Sequence, residues 1–172
     1  MVKKAGDISE KIGEIRYNGP FDYEHLYLAM YEWLKNHYYD VSETYKHKMT
    51  PTGAEVELTI KADRKESEFV RYYAEIETHF WDIVDTETIV AGKKQKLNKG
   101  RFTIIIRMKV KLDYQSQFDK SELLIRLYNM LYHTILKDRI LIMWAGKLFL
   151  ELLKLHTKIK EELGLYTAYS AY

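Results

Sequence analysis

The chain has 172 residues, 47% of them hydrophobic and 30% charged, with a formal net charge of +2. That is the length and composition of one globular domain, and the charge is too small to argue for a nucleic-acid partner by itself. There are no cysteines, which excludes disulfides, thiolate catalysis and cysteine-based zinc or iron–sulfur sites.

The first fifteen residues, MVKKAGDISEKIGEI, are charged and lack an apolar run, so no secretory leader is expected in them, and a cytoplasmic location is the default expectation. Residues 1–11 read as an N-terminal tail and KIGEIRYNG as a short strand. Gly19-Pro20 then punctuates the chain. Asp22 is placed to cap a helix over YEHLYLAMYEWLKNHY, with Leu26, Met30, Trp33 and His37 along one face.

The middle of the chain has the period of strands. VSETYKHKM leads to the turn TPTG, with Pro51 and Gly53 at favoured turn positions. AEVELTIKAD then sets Ala54, Val56, Leu58, Ile60 and Ala62 on one face, against Glu55, Glu57, Thr59 and Lys61. In FVRYYAEIETHFW, Val70, Tyr72, Ala74, Ile76 and Phe80 share a face, opposite Arg71, Glu75, Glu77 and His79. TETIVAGKKQKL reads as a hairpin turning at Ala91-Gly92. RFTIIIRMKVKLD sets Phe102, Ile104, Ile106, Met108, Val110 and Leu112 opposite Thr103, Arg107, Lys109 and Lys111. This alternation predicts an antiparallel sheet of about five strands with one dry face and one wet face. On the wet face Glu55, Glu57, Glu75 and Glu77 can pair with Arg107, Lys109 and Lys111.

The C-terminal third should cover the dry face. Asp119 followed by Glu122 reads as a capping box, and a helical pattern runs to Leu163, with Gly164 as its terminator. One unbroken helix over residues 120–163 would be roughly 66 Å long, so the helix must bend, break near residues 137–139 or Gly146, or reach another chain. Asp138 interrupts the apolar pattern, either as a buried partner of Arg126 or Arg139 or as a solvated bend. Of the sixteen residues from Ile140 to Leu155, Lys147, Glu151 and Lys154 alone are charged, leaving a narrow polar seam on a helix that is otherwise apolar all round. A helix lying in a membrane surface carries a broad basic face, which this thin seam of mixed sign is not. No stretch is long and apolar enough to be read as a transmembrane helix. The overall expectation is a single α+β domain spanning residues 1–172. Its sheet packs on one face against a short N-terminal helix and a long C-terminal helical region, and residues 164–172 form a tyrosine-rich tail.

Catalytic signals are absent at sequence level. The six histidines (His25, His37, His47, His79, His133 and His156) show no metal-ligand spacing, and no dinucleotide, Walker, nucleophile-elbow or EF-hand pattern occurs. No catalytic residue, metal or cofactor is therefore assigned, and the chain is read as a non-enzyme. Three functional readings follow. The first is self-association, as a homo-oligomer or with an unknown protein partner, through Trp144, Leu148 and Leu152 of the apolar helix and Tyr166, Tyr169 and Tyr172 of the tail. The second is a small apolar ligand held by Trp33, Phe80, Met108, Trp144 and Phe149. The third is nucleic acid held by Lys93, Lys94, Lys96, Lys99 and Arg101, extended by Arg71, Tyr73 and Trp81 as stacking surface.

Four Asn and three Gln beside many Lys and Glu match thermophile usage, and simple compositional bias gives the same pattern. The order of a short helix, an antiparallel sheet and a long last helix resembles the helix-grip, START-like arrangement. That resemblance implies a curved sheet gripping the last helix, although the usual pair of helices after the first strand is reduced here to one. The segments GPFDYEHLYLAMYEWL, TYKHKMTPTGAE and LLKLHTKIKEEL resemble those of small archaeal proteins with no assigned activity, so no functional residue follows from them.

Overall fold

The computed structural model describes residues 7–90 and 93–165; for 88–90, 93–95, 135–136 and 139–141 it describes the backbone alone. Strand β1 (Ile8–Phe21) leads into helix α1 (Tyr23–Asn36). Strands β2 (Asp40–Thr50), β3 (Gly53–Lys65), β4 (Val70–Val90) and β5 (Lys93–Leu112) follow as a meander. The five strands form one antiparallel sheet in the order β1-β5-β4-β3-β2, so the first strand lies beside the last. The fold is the α+β arrangement expected.

The alternation of the sequence becomes the two faces of the sheet. Val56, Leu58, Ile60, Val70, Tyr72, Ile76, Phe80, Ile104, Ile106, Val110 and Leu112 are all buried. Ala54, placed with the same set, is only half-buried. Thr78 also faces inward and satisfies its hydroxyl by donating to the Leu58 carbonyl at 2.9 Å. Helix α1 is capped as its sequence indicates, Asp22 accepting from the His25 N–H at 2.9 Å. It buries Leu26, Met30, Trp33 and Leu34.

Strand β1 begins at Ile8 and runs for 14 residues, so residues 8–11, read above as tail, belong to the sheet. A bulge between Lys11 and Gly13 breaks its register against β5. Ile8, Ile12 and Ile15 therefore lose the period of two that would have marked the whole strand. A second bulge lies in β4 between Trp81 and Val84, where Asp82 takes φ +56°. The backbone there crowds β5 so closely that a Cβ on Gly100 would lie 2.8 Å from the Trp81 carbonyl oxygen, which only glycine allows. Beyond this bulge β4 and β5 continue as a two-stranded ribbon: β3 pairs with β4 no further than Ile83, and β1 with β5 no further than Asn98. Ala91-Gly92, the expected turn, lies outside the described residues, although Val90 and Lys93 are paired on either side of it.

After β5, Asp113 is buried and accepts from the N–H groups of Gln117 (2.8 Å) and Phe118 (3.0 Å), organising the loop that follows. Helix α2 (Glu122–Leu131) starts later than the capping-box reading placed it. Ser121, not Asp119, is its N-cap, accepting from the Leu124 N–H at 3.3 Å.

The chain then stays helical to Glu162, through a π-helical turn (Tyr132–Leu136), a single α turn α3 (Lys137–Arg139), a second π-helical stretch (Ile140–Ala145) and helix α4 (Gly146–Glu162). Asp138 is exposed. Gly164, at φ +64°, ends α4: its N–H donates to Glu161 and that of Leu165 to Lys160, both at 2.9 Å. This is the paired bonding of a Schellman terminus.

Candidate interaction surface

Helix α4 presents Leu148, Leu152, Leu155 and Ile159 to the sheet at helical spacing, and all four are fully buried. Leu148 and Leu152, expected at an interface, are therefore core residues in the single chain and offer nothing to a partner. Trp144 is half-buried and packs on the same core. Tyr166, Tyr169 and Tyr172 lie outside the described residues.

The π-helical turns determine what the helical run presents outward. Counted at about 100° per residue, Leu148 falls about 200° round from Tyr128, on the far side of a uniform helix. A π turn closes i→i+5 rather than i→i+4 and takes up about one extra residue. Two such turns bring the buried Tyr128 and the buried Leu148 onto one side. Leu123 (76% exposed), Met130 (59%), Met143 (58%) and Leu150 (60%) are exposed along the same run. These four make up the outward stripe of the run. Leu127, Ile142, Phe149 and Leu153 flank it and are also exposed. The exposed apolar side chains fall in two groups, Leu123, Leu127 and Met130 on α2 and Ile142, Met143, Phe149, Leu150 and Leu153 at and after the second π-helical stretch; between them the exposed side chains among the described residues, His133, Thr134, Lys137 and Asp138, are polar.

The polar seam of α4 is not simply solvated. Glu151 accepts from both terminal nitrogens of Arg64 on β3, at 3.1 and 3.0 Å, and from the Tyr39 hydroxyl at 2.9 Å. Arg64 also donates to the His37 carbonyl, at the C-terminus of α1, at 2.6 Å. Its guanidinium lies 4.6 Å from the Tyr39 ring centre and 5.5 Å from that of Tyr72. Glu66 bonds both Arg64 and Lys147. Burial raises the pKa of Tyr39 and Tyr72 well above the ordinary phenol range, so both hydroxyls stay protonated. The network fixes α4 against β3 and the end of α1 and thereby sets which side of α4 faces out.

His156, one turn further along α4, rests on Gly13 of β1. A Cβ on that glycine would lie 2.8 Å from His156 Nε2, which is buried without a hydrogen-bond partner. Burial, reinforced by the charge of Lys160, lowers the imidazole pKa. The folded chain therefore disfavours the imidazolium form. As pH falls below about 6.5, the ordinary imidazole value, the unfolded chain takes up this proton first and stability declines. Urea unfolding at pH 7.5 and pH 5.5 should show the native chain weaker at the lower pH, with a smaller difference in a His156→Gln variant.

The wet face of the sheet carries the expected carboxylates and cations, partly re-paired. Glu77 bonds Arg107, while Glu75 pairs with Lys61 (3.5 Å), Glu57 with Lys46 (3.1 Å) and Lys109 with Asp7 (3.3 Å). An open groove of about 680 Å³ crosses this face, lined among others by Arg16, Tyr17, His79, Trp81, Arg101 and Thr103. His79 stacks on Trp81 at 3.9 Å and its Nε2 donates to Glu55 at 2.7 Å. Arg101 lies 5.5 Å from the Trp81 ring centre and bonds Asp82 at 3.1 Å. Lys96 and Lys99 are exposed; the backbone of Lys93 and Lys94 belongs to the overhanging ribbon, and their side chains lie outside the description.

Trp33, Phe80 and Met108, read as pocket walls, are buried in the common core, whereas Phe149 is on the outer side of α4. Where β1, α1 and the end of α4 meet there is a notch of about 70 Å³, lined by residues that include Phe21, Leu26 and Glu162. Among the described residues no three His, Asp or Glu side chains are grouped to hold a metal ion, and no helix is long and apolar enough to cross a membrane.

The outward stripe, Arg64, Glu66 and Tyr39 were not singled out from the sequence. The signal available for the network was Glu151, a lone carboxylate inside an apolar run. No protein-family model matches the chain, and no curated protein matches it.

Proposed function

We propose that this protein is a non-enzymatic assembly module that self-associates through the outer side of its C-terminal helical run. One observation carries the reading: Leu123, Met130, Met143 and Leu150 are exposed along this run while Leu148, Leu152, Leu155 and Ile159 on the inner side of α4 are fully buried in the core. Covering each such side chain is worth about 1.5–3 kcal/mol before the costs of association, and a second copy offers the same stripe. Lys137 and Lys154 are exposed on the same run.

Native mass spectrometry of the purified chain should show a symmetric oligomer, and a Met130→Lys/Leu150→Lys variant should lose that contact while keeping its circular dichroism. A wild-type monomer at micromolar concentration would overturn the reading. Binding of such a monomer to anionic vesicles would assign the stripe to a lipid surface instead.

The other two readings have less behind them. A nucleic acid would meet Lys96 and Lys99, but Arg101 is engaged by Asp82 and the face of Trp81 is taken by His79 and Arg101. Glu55, Glu57 and Glu77 on the same face repel phosphate. An apolar ligand would have to displace Trp33, Phe80 and Met108 from one another in a core that is packed.

A further inference from the structure

The sheet ends on one side at β2, whose only strand partner among the described residues is β3. Residues 42–49 of this strand are exposed on both faces. The opposite edge, β1, is interrupted by its bulge and by Pro20, devices that discourage further pairing. Strand β2 has neither, and its 11 residues are paired with β3 without a register shift.

The backbone pattern says which groups are free. The β2–β3 ladder closes at the opposed pair Thr50 and Gly53 across the loop Pro51-Thr52. The pair that closes such a two-residue loop exchanges both backbone bonds, and bonded and non-bonded pairs alternate from there. The even-numbered residues of β2 therefore bond to β3. Val41, Glu43, Tyr45, His47 and Met49 direct their N–H and C=O groups to the open edge.

Folding this row back on itself about Tyr45 gives a matched set. Glu43 meets His47, Val41 meets Met49, and Tyr45 meets its own copy. On the other face Lys46 meets Thr44, Lys48 meets Ser42 and Asp40 lies diagonal to Lys48, so no like charges are directly opposed. Moving the axis to Thr44 sets Val41 against His47. Moving it to Lys46 sets that lysine against itself.

We infer that two copies pair antiparallel through β2 about Tyr45, joining their sheets into one of ten strands. The isologous contact uses one patch of each copy, adds backbone bonds as in strand augmentation, and does not rest on the helical stripe.

The absence of native cysteines makes the register directly testable. Opposed bonded residues have Cα atoms about 5.5 Å apart, within disulfide reach. Tyr45→Cys should cross-link to a covalent dimer under mild oxidation. Glu43→Cys and His47→Cys should each stay uncrosslinked alone but join when mixed. Tyr45→Pro removes an N–H that β3 does not use, so it should fold normally and fail to pair. The inference is overturned if Tyr45→Cys cross-links no better than Glu43→Cys alone, or if folded Tyr45→Pro retains every contact of the wild type by native mass spectrometry. Cross-linking of Tyr45→Cys in the Met130→Lys/Leu150→Lys background separates the two surfaces: persistence shows that β2 pairs independently of the stripe, and loss shows that it does not.

Discussion

Leu152→Ala should cost about 2–5 kcal/mol, the range for emptying a fully buried leucine site, and Leu152→Glu should leave no folded chain in solution. Leu152 has no exposed surface, so truncation removes the transfer term and leaves a cavity that Leu148 and Leu155 can fill only by moving α4. A carboxylate there would be buried without a partner, an expense comparable to the whole stability of a domain this size. Leu150, two residues earlier and 60% exposed, should accept Glu with a change inside about 0.5 kcal/mol in the folding of the single chain. Urea midpoints from circular dichroism distinguish the pair. Equal losses at 150 and 152 would mean that α4 does not turn Leu152 inward and Leu150 outward.

Arg64→Ala should be the most damaging change among the charged residues, costing about 2–3 kcal/mol, because it leaves Glu151 partly buried and unpaired. Arg64 and Glu151 retain 15% and 13% side-chain exposure, so some solvation is kept and the loss should sit below that of a sealed pair. Arg64→Lys should recover little, since an ammonium cannot reproduce the forked contact to both Glu151 oxygens and the bond to the His37 carbonyl. Replacing Arg64 and Glu151 together with leucine should cost less than the sum of the single changes. A double-mutant cycle from urea unfolding measures this coupling, expected at about 1 kcal/mol or more. Additivity would show that the two side chains contribute separately.

Strands β3, β4 and β5 could be read directly from the chain, because a half-buried antiparallel strand writes its faces as alternating residues. Strand β1 was only partly legible: its bulge lets Ile15 share the core side with Ile8 and Ile12 although it stands an odd number of positions from both. The C-terminal run was legible as helix but not in phase. A wheel drawn at 100° per residue through Tyr132–Leu136 and Ile140–Ala145 accumulates an error of about half a turn. Leu148 and Leu152 read as interface because a helix apolar all round does not show in its own sequence which side meets the sheet, so Leu150 did not stand out from them. The Arg64–Glu151 pair joins residues 87 positions apart on different elements, a distance over which local pattern carries no information.

The neighbourhood of β1 and β5 has a consequence for how the chain is made. Strands β2 to β5 are successive hairpin partners and can zip as soon as each emerges from the ribosome. Strand β1 is synthesised first, yet its pairings, such as Ile15 with Ile104, must wait until some 90 further residues have been translated. Closure over that span is slow relative to the hairpins. Helix α4, which seals the inner face, arrives later still. Until then the inner faces of β3–β5 stand uncovered, so the nascent chain passes through a stage in which its best-formed element is also its stickiest. Temperature and chaperone supply during synthesis should govern the yield of this protein more than the stability of its finished fold.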